Sequence, residues 1–233
     1  MQPFQSDVQI SIPSVPSGRR PVVVAISGGT ASGKSTFARE LAAHLSDLQP
    51  FILMQDRYFR DFAEYSDEKR EIVRTANHPD AIHWSAFHQA LTGLCAGQAI
   101  VEPAPGTRPY ERGETPHPVG PAGVVLIEGL FALWDERCRN VSDLKLYLEA
   151  NDEERVLRRI QRNVVENGGS LEPAIAWYRR DVMPNYPLYT AATRRYADLI
   201  VATDHSTKVA LRAIASAIRA QAGQPMLDVN RLS

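Results

Sequence analysis

The stretch "SGGTASGKST", residues 27–36, decides the fold. Gly28, Gly33, Lys34 and Ser35 fit the phosphate-loop spacing G-x-x-x-x-G-K-[ST]. Glycine has no Cβ, so such a loop turns its N–H groups inward into a nest for phosphate oxygens. Gly28, Gly29, Thr30, Ala31, Ser32, Gly33, Lys34, Ser35 and Thr36 are therefore the expected phosphate-binding residues. Lys34 would reach the β- and γ-phosphates, and the Ser35 hydroxyl would ligate Mg²⁺. A helix following the loop would aim its N-terminal partial charge at the same phosphates.

The flanks supply the context this motif needs. Val22–Ile26 is a short apolar run suited to a buried parallel strand. After the loop, Phe37, Leu41, Leu45 and Leu48 recur on one helical face. Strand and helix patterns then alternate, which predicts an α/β fold of the P-loop NTPase type, a mostly parallel sheet flanked by helices. Expected strands are Val22–Ser27, Phe51–Gln55, Val124–Glu128, Leu144–Leu148 and Leu199–Ala202. Expected helices are Lys34–Leu48, Trp84–Ala96, Asp152–Glu166, Leu171–Met183 and Lys208–Ala222. Residues 57–83, charged and aromatic, and 102–123, with six prolines and four glycines, break the rhythm. Long irregular insertions in a compact domain are commonly functional, and both leave from the carboxyl ends of strands, where ligands bind.

The whole chain bounds the rest. Its 233 residues, 44% of them apolar, suffice for one domain over 21–233 behind a flexible, Pro- and Ser-rich leader at 1–20. A net charge of −1, from 26 basic and 27 acidic residues, gives no hint of nucleic-acid or membrane partners. Two cysteines, Cys95 and Cys138, suggest neither disulfide nor zinc framework and fit a cytoplasmic chain. No signal peptide or apolar membrane span is visible.

Three further stretches carry chemistry. In "LMQDRYFRDF", 53–62, an apolar run ends at Gln55 and Asp56 follows. A carboxylate there could accept a proton from an attacking hydroxyl, bind Mg²⁺ through water, or merely cap a helix. In "VVLIEG", 124–129, Glu128 closes a strand where a metal-side acid is expected, and Gly129 permits a sharp turn beside the ligand. In "DEERVLRRIQRN", 152–163, Arg155, Arg158, Arg159 and Arg162 share one side of a helix. They form either a solvated face or a lid, over about 152–170, that neutralises a transferring phosphoryl group. Neither the Asn-Lys-x-Asp motif of switch GTPases nor the Leu-Ser-Gly-Gly-Gln signature of transport ATPases occurs.

"SGGTASGKST", "QDRYFR", "NHPDA", "VVLIEG", "RVLRRIQRN" and "RRYADLIV" together resemble the uridine kinase branch of the phosphoribulokinase/uridine kinase family, from about Val22 to Asp204. The resemblance implies transfer of the ATP γ-phosphate to a hydroxyl of a small molecule, foremost a nucleoside 5′-OH. It assigns Asp56 as general base, Glu128 with Ser35 to Mg²⁺, and Arg159 and Arg162, with Lys34, to the phosphates. It places Phe59, Asn77, Tyr110, Arg112, Arg159 and Trp177 beside the acceptor and residues 202–207 along the adenine. It also leaves a homo-oligomer open.

The acceptor side departs from the family pattern. Asn77 stands where uridine kinases carry an aspartate that grips ribose hydroxyls. Over 103–112 only Pro103 and Arg112 survive of a pyrimidine-wrapping stretch, with Tyr110 in a histidine's place. Asn167-Gly168-Gly169 replaces an arginine pair flanking a glycine, and Trp177 replaces a base-reading glutamine. The alternatives are therefore a kinase of the same family acting on a non-nucleoside alcohol (a sugar, sugar phosphate, glycerate or pantothenate-like compound) and a catalytically degenerate ATP-binding member.

Overall fold

Strand β1, Val22–Gly28, is buried along its whole length. Its side chains alternate between two cores. Val22, Val24 and Ile26 join Phe37, Leu41, Leu126, Leu146 and Ile214 on one face of the sheet. Val23 and Ala25 join Leu53, Phe87, Val125, Ile127 and Phe131 on the other. A strand apolar on both faces must be covered on both, which is the condition for a central parallel strand. The computed structural model describes residues 20–166 and 168–223; the expectations for residues 1–19 of the leader, for Asn167 and for residues 224–233 lie outside the described residues.

The main sheet has five strands in the order β2-β5-β1-β6-β7. Here β2 is Pro50–Met54, β5 Val124–Glu128, β6 Leu144–Glu149 and β7 Leu199–Ala202. All pairings are parallel. Pro50 opens β2, which is an edge strand, so its missing N–H costs no ladder bond. The direction in which the chain steps across the sheet reverses at β1, placing the phosphate loop at a topological switch point.

Helices α1 (Lys34–His44) and α9 (Lys208–Gly223) cover one face together, and α3 (Trp84–Cys95) covers the other. α1 stops short of the expected Leu48. Leu45 leaves helical geometry, Ser46–Leu48 forms a 3₁₀ turn, and Gln49 takes φ 50° to enter Pro50. The residue before a proline is disfavoured in the α region, so the chain has to turn out early.

The irregular insertions contain short elements. Residues 57–83 hold the end of a 3₁₀ turn, Gln55–Tyr58, and helix α2, Asp67–Val73. The second insertion is a two-stranded antiparallel hairpin, β3 (Ile100–Glu102) with β4 (His117–Val119), spanning helix α4 (Arg108–Glu111). Phe59 bridges Ile82 within the first insertion, and the two insertions pair with each other where Arg60 bridges Thr107 and Arg108 N donates to Phe59 O at 2.8 Å.

A short helix α5 (Glu136–Val141) leads to β6, and the basic helix α6 is Asp152–Gln161. α6 widens into a π-helical segment over Arg162–Glu166. The expected helix at Leu171–Met183 is α7 (Leu171–Trp177), a π turn Tyr178–Val182, α8 (Met183–Asn185), a second π turn Tyr186–Thr190 and a 3₁₀ segment to Tyr196. Pro184 and Pro187 lack the N–H that α-helical bonding needs. The helical path continues past them in wider turns instead of ending at Met183. Among the described residues no helix is long and apolar enough to cross a membrane.

Candidate functional site

Phosphate-loop geometry comes from its glycines. Gly33 has φ 85°, and a Cβ on Gly28 would lie 2.3 Å from Leu148 O. Ala31, with φ 59°, holds the left-handed region without glycine's freedom, a strained conformation typical of ligand-binding loops. Gly33 caps α1 without a side-chain acceptor, and the first turn of α1 has no acid. The first N–H groups of the helix are thus left for an external anion.

The loop is braced from below. Arg155, only 2% exposed, stacks on Tyr186 at 4.0 Å and donates to Asp152 at 2.6 Å and to Thr30 O at 3.5 Å. A Cβ on Gly29 would meet its guanidinium at 2.1 Å. Arg155 therefore supports the loop backbone and faces away from any ligand. Thr203 Oγ1 donates to Ser32 O at 2.8 Å, pinning the loop from the 202–207 segment. No residue of that segment lines the cavity described next.

A cavity of about 700 Å³ opens over the loop. One wall carries Thr30, Ala31, Gly33, Lys34, Ser35 and Thr36; Asp56, Phe59, Asn77, Glu128, Arg159, Arg162 and Trp177 complete it. Most of the residues singled out in the sequence are brought together here. Tyr110 and Arg112 are not. Tyr110 is 44% exposed on α4, and Arg112 pairs with Glu114 at 3.0 Å. Gly28 and Gly29 face Leu148 and Arg155, and Ser32 is buried, with its Oγ unpartnered among the described residues.

Asp56 and Glu128 reach the cavity by the same device. β2 and β5 end in register, Met54 opposite Glu128, so the next residues of both strands emerge beside the loop after β1. Asp56 lies in the 3₁₀ turn Gln55–Tyr58, whose N-cap is Met54, with no side-chain cap. Its carboxylate thus caps no helix; it is exposed to the cavity. Glu128 is buried, and burial raises its pKa, while Lys34 and a hydrogen bond from Ser35 pull it back down. Burial likewise lowers the pKa of Lys34, against the attraction of Glu128 and Asp56. Lys34 Nζ donates to Gly29 O at 2.9 Å.

On the facing side, Arg159 donates to Thr30 Oγ1 at 3.2 Å and stacks on Trp177 at 4.4 Å. Burial and then the like charge of Arg162 lower its pKa. A cation whose charge is uncomfortable where it sits is well placed to meet an anion.

Several supporting residues were missed by the sequence reading. Buried Glu102 accepts from Tyr58 at 2.6 Å and Arg57 at 3.1 Å, which tethers the Asp56 turn to the hairpin. Arg108 lies over Phe59 at 4.9 Å and donates to Thr75 O at 2.8 Å. Buried Asp181 accepts from Thr75, Ala76 and Asn77. A buried charge needs a partner, but nothing in the sequence says which distant residue supplies it.

The donor set is compatible with a hard cation. Ser35, Glu128 and Asp56 offer only oxygen, as Mg²⁺ prefers, and Mg²⁺ commonly takes one or two carboxylates, water and phosphate. Among the described residues no group of three or more His, Cys, Asp or Glu forms a fuller metal cage.

Comparison with known proteins agrees with this architecture. Residues 23–210 match the Phosphoribulokinase / Uridine kinase family. A uridine kinase from Limosilactobacillus reuteri is 34% identical over 206 residues, 88% of this chain and 94% of that protein. A uridine kinase from Halalkalibacterium halodurans is 32% identical over 87% of this chain and 96% of its own length. A crystal structure of a candidate fructose transport system kinase from Silicibacter sp. TM1040 superposes with TM-score 0.61 at 24% identity, covering 79% of this chain and 91% of that one, and supports the shared fold.

Proposed function

The chain belongs to the phosphoribulokinase/uridine kinase family, and from that premise we propose that it is an ATP-dependent kinase that phosphorylates a nucleoside on its 5′-hydroxyl. One observation carries this reading. A single cavity joins the phosphate loop, a solvent-facing Asp56 and the arginines of α6 and its extension. A nucleotide-binding switch needs no exposed carboxylate facing its phosphates, whereas a kinase needs a proton acceptor there.

In the proposed reaction the acceptor oxygen forms a bond to the γ-phosphorus. The bond from that phosphorus to the β,γ-bridging oxygen breaks, releasing ADP. Asp56 takes the hydroxyl proton. Lys34 and the loop N–H groups hold the β- and γ-phosphates, and Arg159 and Arg162, acting as a lid, offset charge on the moving group. Ser35 and Glu128 would hold Mg²⁺, which would supply positive charge to offset that of the phosphates. Phe59, Asn77 and Trp177 border the space left for the acceptor. An ATP requirement and two free thiols fit a cytoplasmic enzyme.

The test is ADP release with ATP and Mg²⁺ over uridine, cytidine, purine nucleosides, hexoses, glycerate and pantothenate. Saturable turnover on at least one nucleoside, well above every non-nucleoside acceptor, is expected. Turnover confined to a non-nucleoside alcohol would overturn the nucleoside assignment and leave the kinase assignment standing.

A further inference from the structure

Behind the cavity wall lies a carboxylate that the proposed chemistry does not use. Asp181 is 5% exposed and sits in the π turn Tyr178–Val182. It accepts from Thr75 Oγ1, from Ala76 N at 3.2 Å and from Asn77 Nδ2 at 2.7 Å. Three successive residues of the cavity-side segment are thus tied to one side chain. Arg108 holds the same segment through Thr75 O, and Asn185 Nδ2 donates to Asp181 O at 2.8 Å.

This arrangement fixes the orientation of an amide. An ionised carboxylate only accepts hydrogen bonds, so Asn77 has to turn its NH₂ toward Asp181 and its carbonyl oxygen away. Asn77 Oδ1 receives no hydrogen bond from any described residue, yet it is not among the sealed, unpartnered atoms. Asn77 itself lines the cavity. Its free acceptor therefore faces the space beside Phe59 and Trp177.

We infer that Asp181 is a positioning residue: it fixes the direction of the Asn77 amide, so that Oδ1 and not the NH₂ group meets the acceptor. A carbonyl, carboxylate or phosphate at that point would meet an oxygen with nothing to donate. The negative charge sits one residue behind the contact surface, within the field of Arg159 and Arg108. The inference rests on the nucleoside kinase reading and deepens it.

The test is an exchange of the pair. Asn77→Asp alone sets two carboxylates against each other, and Asp181→Asn alone removes the group that dictates the amide's direction. Together they restore a complementary pair with a carboxylate now facing the cavity. Steady-state kinetics on uridine, 2′-deoxyuridine and 3′-deoxyuridine should show each single variant raising the uridine KM about tenfold or more, the value of one hydrogen bond. The ATP KM should stay within about twofold. The double exchange should recover most of the loss, and one of the two deoxy analogues should be insensitive to all three variants. Equal rises in both KM values, a double exchange no better than the single variants, or undiminished sensitivity with both analogues would overturn the inference. Absence of uridine turnover by the wild-type protein would instead count against the nucleoside assignment. In that case the side-chain amide of Asn77 in a ¹⁵N–¹H spectrum decides: Asp181→Asn should displace its NH₂ resonances, and unmoved resonances would overturn the pairing whatever the acceptor.

Discussion

Glu102 shows how one buried side chain bears on the proposed chemistry without touching it. It lies in β3, far in sequence from the turn that carries Asp56, and accepts from Tyr58 and Arg57 of that turn. Burial, and then the nearby charge of Glu102, push the Tyr58 hydroxyl far above its ordinary pKa, so it stays a donor at any working pH. Glu102→Ala would leave a buried hydroxyl unsatisfied and take from Arg57 its buried partner. A loss of about 2–4 kcal/mol is expected in urea unfolding, with kcat falling more than the ATP KM rises. Glu102→Gln keeps an acceptor for Tyr58 and should lose about half as much stability. At this scale the sequence was legible where chemistry imposes spacing, as at Lys34 and Ser35, or where an acid directly follows an apolar run, as at Asp56 and Glu128. It was silent on Glu102 and Asp181, and it read Arg155 as one of a basic helical face and not as the buried brace it is. Their partners are 44, 104 and 125 positions away, and no local pattern connects them.

Among the elements, the ends of β2 and β5 matter most to the site. Gln55, next after β2, accepts from Phe131 N at 2.9 Å and so secures the chain leaving β5. That contact depends on Gly129, where a Cβ would lie 2.1 Å from Gln55 Oε1 and 2.5 Å from Gln55 Cβ. Gly129→Ala must displace Gln55, and with it the neighbouring Asp56. A stability loss of about 1–3 kcal/mol by thermal or urea melting is expected, with a fall in kcat. A native melting curve would show that the two strand ends are not coupled this way. The strands of the main sheet were legible because each is a run of apolar residues too short for a helix. The hairpin was not: three-residue strands give no period to count. The helical run past Leu171 was read as ending at Met183, because its local hydrogen bonding widens around two prolines, and the rest of the path is set by packing against the site.

For the molecule as a whole, the sheet sets where the site lies and the insertions shape it. The switch point at β1 puts the phosphate loop between strand ends from both directions of the sheet. The two insertions bridge each other and, through Arg108 and Asp181, fix the wall that carries Phe59 and Asn77. The phosphate-loop side of the cavity is built from short motifs that can be read along the chain. The acceptor half is built from contacts between distant segments, so Tyr110 and Arg112 were expected beside the acceptor and lie outside the cavity. The central claim is that Asp56 takes the proton from the attacking hydroxyl, and it is tested most directly by pairing turnover with ATP binding in Asp56→Ala. General-base catalysis is worth about 10²–10⁴-fold, so turnover should fall by about a thousandfold while the ATP Kd, measured by calorimetry, stays within about threefold. Turnover within about tenfold of wild type in a natively folded variant would contradict it.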